Sequence, residues 1–236
     1  MLKKGQVTIF IILGIVIIAG ILIFFLFRGN INSTQIPENA QEIYNFVEQC
    51  IYDSAQESIL IISQNGGYIN SPKSSTQTGN PYYNKLNIPE KQTIESEIST
   101  LTSELIQICI LELDYFAEYK IIPSTPTIYT TINSEEIEIN TKFPISIKKQ
   151  DETFLIENFN TIIPARLGTI YNSITSILEN QTPENTCLTC ILQQAEQNNL
   201  NISLYDYDDN TILFSIKDHT AIINNQTLEF LFVVKV

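Results

Sequence analysis

The sequence contains no tryptophan and a single histidine, His219. Histidine is the commonest general base and metal ligand in proteins, so the usual general bases and histidine-rich metal sites are scarce. Basic residues are scarce as well: 13 Lys and Arg stand against 26 Asp and Glu, which gives a formal charge of −13. A surface this acidic repels phosphates, and we therefore expect no nucleic acid among the partners.

Sequence motifs of enzyme chemistry are also missing. The chain has no Gly-x-Ser-x-Gly and no glycine-rich phosphate loop, which are signatures of hydrolases and nucleotide-binding proteins. His219 lies in a polar stretch with no nucleophile motif that points to it, and we interpret it as a surface residue. We expect a protein that is not an enzyme and needs no cofactor.

The chain begins with a long apolar run. Residues 8–27 are twenty consecutive uncharged positions rich in Ile, Leu and Phe. A helix of that length spans about 30 Å, the thickness of the hydrocarbon core of a bilayer. Lys3 and Lys4 precede the run, which favours a cytoplasmic N-terminus and a body outside the cell. We predict a basic leader with a transmembrane helix over residues 1–28 and a polar linker over 29–38.

The junction before the apolar run reads Lys-Lys-Gly-Gln at positions 3–6. It resembles the class III, or pilin-type, signal of archaea, in which a peptidase cuts after the glycine and the apolar helix stays on the mature protein. The resemblance implies processing between Gly5 and Gln6. That family usually has Glu at the fifth mature position, where this chain has Phe10, so a filament subunit and a lone anchor both stay open.

Short stretches of the body carry a second resemblance: Gln64–Ile69, Phe143–Ile145, Arg166–Tyr171, Cys187–Cys190 and Asp206–Asp209. They are similar to a family of uncharacterised single-pass surface proteins of small-genome (DPANN) archaea. The resemblance implies an architecture and a place at the cell surface, and it implies no activity.

Hydrophobic periodicity indicates the fold class of the body, residues 39–236. Apolar residues at three- and four-residue steps predict a helix that ends at Gly66 and three more that begin near Pro89, Pro164 and Cys187. For the second helix the predicted apolar stripe is Ile94, Ile98, Leu101, Leu105 and Ile108.

From Thr127 the period changes to two, which predicts a meander of three antiparallel strands with turns at 133–135 and 149–151. Three more strands are predicted near 202–207, 211–217 and 228–236. Helices first and hairpins later favour an α+β fold in which helices pack on a mainly antiparallel sheet. The helical part covers about 39–120 and the sheet-rich part about 121–236.

Four cysteines are an even number in a domain expected outside the cell, so we expect disulfides, for which three pairings are possible. Cys50 and Cys109 lie beside the stripes of the first two helices, where a bridge would join them near their middles. Cys187 and Cys190 can bridge locally. As a Cys-x-x-Cys pair at a helix start, they also permit a thiol–disulfide oxidoreductase. A zinc site is disfavoured, because the first two cysteines lack ligand spacing.

Two further features concern ions and glycans. The acidic stretch 206–210 offers oxygen ligands at alternate positions, yet it lacks the Gly and Glu of an EF-hand and is interpreted as a hairpin turn. Asn-x-Ser/Thr sequons begin at Asn32, Asn180, Asn201 and Asn225. Of these, Asn32 in the linker and Asn225 in a predicted turn are the better candidates for glycosylation.

These features together predict a single-pass membrane protein whose body lies outside the cell. Its expected partners are the lipid bilayer and other surface or pilin-like proteins. Two alternatives stay open: a membrane-tethered thiol–disulfide oxidoreductase that uses Cys187 and Cys190, and an extracytoplasmic module that binds calcium or another ligand.

Overall fold

The structure, a computed structural model, describes residues 40–181 and 186–235. The predicted leader, transmembrane helix and linker lie outside the described residues, as do Gly5, Gln6 and Asn32. The described residues belong to one unit, Asn39–Val236. Within that described part of the chain, no helix combines the length and the apolar character that crossing a bilayer requires.

Four α-helices and one 3₁₀ helix occur in the described residues. They are α1 (Gln41–Gln64), α2 (Lys91–Cys109), the 3₁₀ helix (Ile110–Tyr115), α3 (Leu167–Glu179) and α4 (Leu188–Asn198). The first α-helix ends just before Gly66 and Gly67, whose φ angles of +60° and +85° suit glycine and stop the helix. The four predicted helices are confirmed.

Seven strands form two separate antiparallel sheets within the described residues. They are β1 (Lys120–Pro123), β2 (Thr127–Ile132), β3 (Ile137–Lys149), β4 (Glu152–Ile163), β5 (Asn201–Asp208), β6 (Thr211–Ile223) and β7 (Gln226–Lys235). In the first sheet β4 pairs along one side of β3, while β1 and β2 lie end to end along the other. The second sheet has the order β5-β6-β7.

The α+β class is therefore confirmed, whereas the single sheet that we expected is wrong. Each sheet is built from strands that are neighbours along the chain, and α3 and α4 separate the two groups. The predicted meander is β2-β3-β4, with its turns at the expected places. We missed β1, because a strand of four residues is too short to show an alternating pattern.

The core lies where the helices cover the sheets. On β2 every second residue is buried, and these residues face inward. The first helix contacts α2, β4 of the first sheet and β7 of the second sheet. Its apolar side, with Ile43, Ile51 and Ile59 fully buried, therefore contributes to the packing of both sheets.

The apolar stripe of α2 differs from the prediction. The buried residues are Ile94, Ile98, Thr102 and Ile106. Leu101 and Leu105 are only half-buried, and Ile108 is 65% exposed. The predicted stripe is thus wrong beyond Ile98. The helix buries every fourth residue against α1 and β2. Residues 105 and 106 are both apolar, so the sequence alone does not show which of them continues the buried row.

The start of α3 packs tightly on the turn between β2 and β3. A β-carbon at Gly168 would collide with the backbone carbonyl oxygen of Asn133. Next to it, the hydroxyl of Thr169 donates to the carbonyl oxygen of Ser134 at 2.9 Å. Only glycine permits this approach, which fixes α3 to the first sheet.

Candidate functional site

The Cys187–Cys190 pair lies at the beginning of α4. The two cysteines form a disulfide, with their Cα atoms 5.3 Å apart. Cys187 is the N-cap residue, and its Sγ accepts a hydrogen bond of 3.3 Å from the backbone N–H of Cys190. Because a helix N-terminus stabilises negative charge, a thiolate formed at Cys187 on reduction would be stabilised.

This bridge is open to solvent. Both cysteines are only partly buried, and Leu188 and Leu192 beside them are 59% and 62% exposed. The first turn of α4, all of which is described, contains no acidic side chain that would oppose a thiolate. A thiol of another molecule can therefore reach the bridge, which allows an exchange reaction as well as a structural role.

The second disulfide joins Cys50 to Cys109, with a Cα–Cα distance of 5.9 Å. Cys50 lies within α1 and is only 2% exposed, whereas Cys109 is the last residue of α2. Our expectation that the bridge joins both helices near their middles is wrong for α2. The two helices run antiparallel and α1 extends further, so the end of α2 meets the interior of α1.

An ion-pair cluster that the sequence analysis did not single out is centred on Arg166, at the N-cap of α3. Its Nη1 donates to Asp218 Oδ1 at 3.3 Å and to the Thr220 hydroxyl at 3.1 Å. Its Nη2 donates to the carbonyl oxygen of Asn198 at 2.6 Å, and its Nε lies 3.5 Å from Glu135 Oε2. One guanidinium therefore links α3, α4, β6 and the turn between β2 and β3.

Asp218 is the most buried carboxylate of this cluster, with no exposed surface. Its Oδ1 accepts from the backbone N–H of Thr220 at 3.0 Å and from the hydroxyl of the same residue at 2.6 Å. Its Oδ2 has no hydrogen-bond partner in the described part of the chain. A buried charge of this kind requires a cation beside it, which Arg166 supplies.

A surface cleft of about 610 Å³ lies between the segment that precedes α2, the end of α3 and the end of β7. Its lining includes Tyr82, Leu86, Leu178 and Val234. The Tyr83 hydroxyl donates to the Gly66 carbonyl oxygen at 2.6 Å, and burial raises its pKa far above the ordinary value, so it stays neutral. The cleft offers aromatic, aliphatic and amide groups to a ligand.

The acidic stretch 206–210 lies at the hairpin between β5 and β6, but only Asp209 and Asn210 form the turn, because residues 206–208 are the paired end of β5. Asp208 Oδ1 accepts from the backbone N–H of Asn210 at 3.0 Å, which is a bond within the turn. Nowhere in residues 40–181 and 186–235 do three His, Cys, Asp or Glu side chains converge as they would around a metal ion. His219 is exposed, as expected, and its Nε2 lies 3.5 Å from Asn201 Nδ2.

The asparagines of three of the four sequons lie in the described residues. Asn180 caps the end of α3, Asn201 begins β5, and Asn225 lies in the turn between β6 and β7. The turn predicted for Asn225 is confirmed, and all three asparagines are exposed. They are not brought together with the cysteines or with Arg166 into a shared site.

Comparison with known proteins adds no relative: no family model, no curated protein and no solved structure matches this chain.

Proposed function

We propose that this chain is a single-pass, membrane-anchored surface protein without enzymatic activity, whose body lies outside the cell and assembles with other surface or pilin-like proteins. One observation carries the proposal. All four cysteines, each of them in the described residues, are paired in two intramolecular disulfides. Disulfides persist in oxidising compartments and are rare in a reducing cytoplasm, so the pairing supports a body on the oxidising side of a membrane.

The anchor in this proposal is the apolar run of residues 8–27, which lies outside the described residues. Its twenty uncharged positions match the thickness of a bilayer, and a helix satisfies every backbone group there. Lys3 and Lys4 stand before the run, and the positive-inside bias then directs the body outward. The anchor and the disulfides thus support the same topology from two independent properties of the chain.

Assembly with other surface proteins follows from the junction at Gly5 and Gln6. Processing there would leave the apolar helix at the very start of the mature chain, free to pack against other helices in the membrane. Phe10 replaces the carboxylate that usually pairs with the terminal amine of a neighbouring subunit. We therefore propose an anchored component of a surface assembly in preference to the main subunit of a filament.

The topology can be tested on intact cells treated with an external protease. We expect loss of the body, detected with an antibody against a β7 peptide, without permeabilising the cells. A cytoplasmic protein followed in the same sample must stay intact, as the control for cell integrity. A body that survives until the cells are permeabilised would contradict the proposed topology.

Processing can be tested by mass spectrometry of the N-terminal peptide from the native membrane fraction. We expect the chain to begin at Gln6, and the variant Gly5→Val to keep its leader because the residue before the cut is altered. The variant Lys4→Arg preserves the basic leader and should be processed normally. A wild-type chain that begins at Met1 or Leu2 would reject the processing step and leave a plain signal anchor.

The exposed Cys187–Cys190 bridge at a helix start favours a second candidate, a membrane-tethered thiol–disulfide oxidoreductase. In that reaction a substrate dithiol would lose two electrons and two protons and become a disulfide. The bridge would take them up and become two thiols. The bridge of the purified full-length chain should then exchange with a small thiol. In Cys190→Ser the free Cys187 thiolate should attack a small disulfide, release one of its thiols and keep the other as a stable mixed disulfide. Exchange no faster than that of the Cys50–Cys109 bridge would exclude this candidate.

A further inference from the structure

Asn225 differs from Asn180 and Asn201, the other two described sequon asparagines, in the state of its acceptor nitrogen. Asn225 and Asn224 form the two-residue turn between β6 and β7, with Ile223 paired to Gln226. Both turn residues have a positive φ, +47° at Asn224 and +60° at Asn225, as the favoured hairpin turn requires. Asn225 is exposed, so its side chain stands at the tip of the hairpin, clear of the sheet.

The side-chain amides of the other two sequons are engaged in the fold. Asn180 Nδ2 donates to the carbonyl oxygen of Ser176 at 2.8 Å, which holds it against the last turn of α3. Asn201 begins a paired strand, its Nδ2 lies 3.5 Å from His219 Nε2, and its Oδ1 accepts from the Ser203 hydroxyl at 3.2 Å. By contrast, neither Asn225 nor Thr227 has a side-chain hydrogen bond within the described part of the chain.

We infer that Asn225 is an N-glycosylation site, because it alone among the described sequon asparagines combines an exposed turn with an unengaged acceptor amide. The inference rests on the proposed function, since it requires the body to be outside the cell. A transferase must draw the acceptor tripeptide into its own active site. A hairpin tip can enter such a site without breaking the fold, whereas the strand that holds Asn201 would have to unpair from β6.

The modification needs a lipid-linked oligosaccharide as donor and a membrane oligosaccharide transferase as catalyst. The bond between the sugar C1 and the phosphate oxygen of the lipid carrier breaks, and a bond between C1 and Asn225 Nδ2 forms. One amide proton leaves the nitrogen, and the lipid phosphate departs as the leaving group. The asparagine keeps one N–H and its carbonyl oxygen, so the turn can retain its backbone geometry.

The position also has a physical consequence for the surface beside it. Ile222 is 64% exposed and pairs directly with Thr227 across the hairpin, so the two side chains share one face. A glycan on Asn225 would stand next to this apolar side chain and cover it. The inference therefore gives a reason for an exposed isoleucine beside this turn.

Glycosylation of Asn225 can be measured by mass spectrometry of one tryptic peptide. Trypsin should release the peptide Asp218–Lys235, which contains this sequon and no other. In protein isolated from native membranes we expect that peptide to carry the mass of an oligosaccharide on Asn225. We expect the single tryptic peptide Leu167–Lys217, which contains both Asn180 and Asn201, to carry no glycan. An unmodified Asn225, or a glycan at Asn180 or Asn201 in its place, would overturn the inference.

Matched variants separate the sequon from the turn. Asn225→Gly preserves the positive φ and removes the acceptor nitrogen, and Thr227→Val preserves the branched shape and removes the hydroxyl. Both should lose the glycan completely. Asn224→Gly changes the turn and leaves the sequon intact, and it should stay glycosylated. A glycan that persists in Thr227→Val, or that disappears in a folded Asn224→Gly variant, would contradict a sequon at Asn225.

Failure of this inference can be told apart from failure of the proposed function. The same cells are treated with external protease. If the body is degraded from outside and Asn225 is unmodified, the glycosylation site is wrong while the surface location stands. If the body is protected and Asn225 is unmodified, both are wrong.

Discussion

The Cys50–Cys109 bridge connects residues that are 59 positions apart, whereas the Cys187–Cys190 bridge connects residues only three apart. In the chain-entropy model the long loop corresponds to about 4 kcal/mol of stabilisation and the short loop to about 2 kcal/mol. The long bridge contains the buried Cys50, while both cysteines of the short bridge are partly exposed. The long bridge therefore constrains far more of the unfolded chain, whereas the short bridge is local and accessible.

A bridge between residues only three apart does not link distant elements, so the elements around it need other contacts to hold them together. Arg166 contacts α4, β6 and the first hairpin turn, and thus provides the long-range links that a local bridge cannot provide. Two helices in the first half of the body are joined covalently. The second half is joined by an ion-pair cluster and by close packing at Gly168.

Loss of the long bridge is the most direct way to test this contrast. We expect the double variant Cys50→Ala and Cys109→Ala to lower the free energy of unfolding by about 4 kcal/mol. Urea denaturation of the described body, followed by circular dichroism, measures the change. Full reduction of the wild-type protein opens both bridges and should therefore give a larger loss than this variant. A change below about 1 kcal/mol would mean that the bridge adds little to the packing of α1 on α2.

Removal of the Arg166 side chain tests whether ion pairing replaces a bridge in the second half. We expect Arg166→Met to destabilise the protein by about 3 kcal/mol, because it leaves the buried Asp218 carboxylate without a cation. The half-exposed pair Lys217–Glu229 supplies a control in the same sheet. Lys217→Met should cost below about 1 kcal/mol. Equal effects in the two variants would show that burial of Asp218 is unimportant.

The close contact of α3 with the turn between β2 and β3 predicts a smaller loss of stability when Gly168 is replaced. We expect Gly168→Ala to cost about 2 to 3 kcal/mol, because the new methyl group meets backbone atoms that cannot rotate away. Asn172→Ala, on the exposed side of the same helix, should be nearly neutral. Thermal unfolding of the two variants measures the difference. A neutral Gly168→Ala variant would contradict the close approach to Asn133.

Loss of the short bridge should have the smallest effect on stability. We expect the double variant Cys187→Ser and Cys190→Ser to cost below about 2 kcal/mol, since it frees only a local turn. The same urea titration measures it beside the long-bridge variant. If this variant proves as destabilising as the loss of Cys50–Cys109, the expected difference in stability between the two bridges is wrong.

Much of this architecture could be predicted from the sequence because its signals are local. The stripes of α1 and α3 and the turn residues 133–135 and 149–151 are set within a few positions, so helices and hairpins were found. The row of buried residues on α2 was missed because Leu105 and Ile106 are both apolar, and only contact with α1 and β2 decides which is buried.

The Arg166 cluster could not be predicted for a different reason. The partners Asp218 and Asn198 are 52 and 32 positions away along the chain, and nothing in the local pattern brings them together. Asp218 lies in a polar stretch that indicates an exposed loop, yet it is fully buried because Arg166 and Thr220 satisfy it. Such a cluster can be recognised only when the three-dimensional arrangement of the helices and both sheets is known.

One edge of the first sheet is interrupted, which affects how copies of the protein can aggregate. The side of β3 opposite β4 is covered by two short strands, β1 and β2, and Pro123 and Pro126 stand where one stops and the other starts. Proline has no N–H to donate, so this border of the sheet presents no continuous ladder to a neighbouring molecule. An exposed, unbroken sheet edge can pair with the edge of another copy and begin a fibre. The broken border opposes such pairing on this side of the sheet, so copies can meet there without their sheets joining.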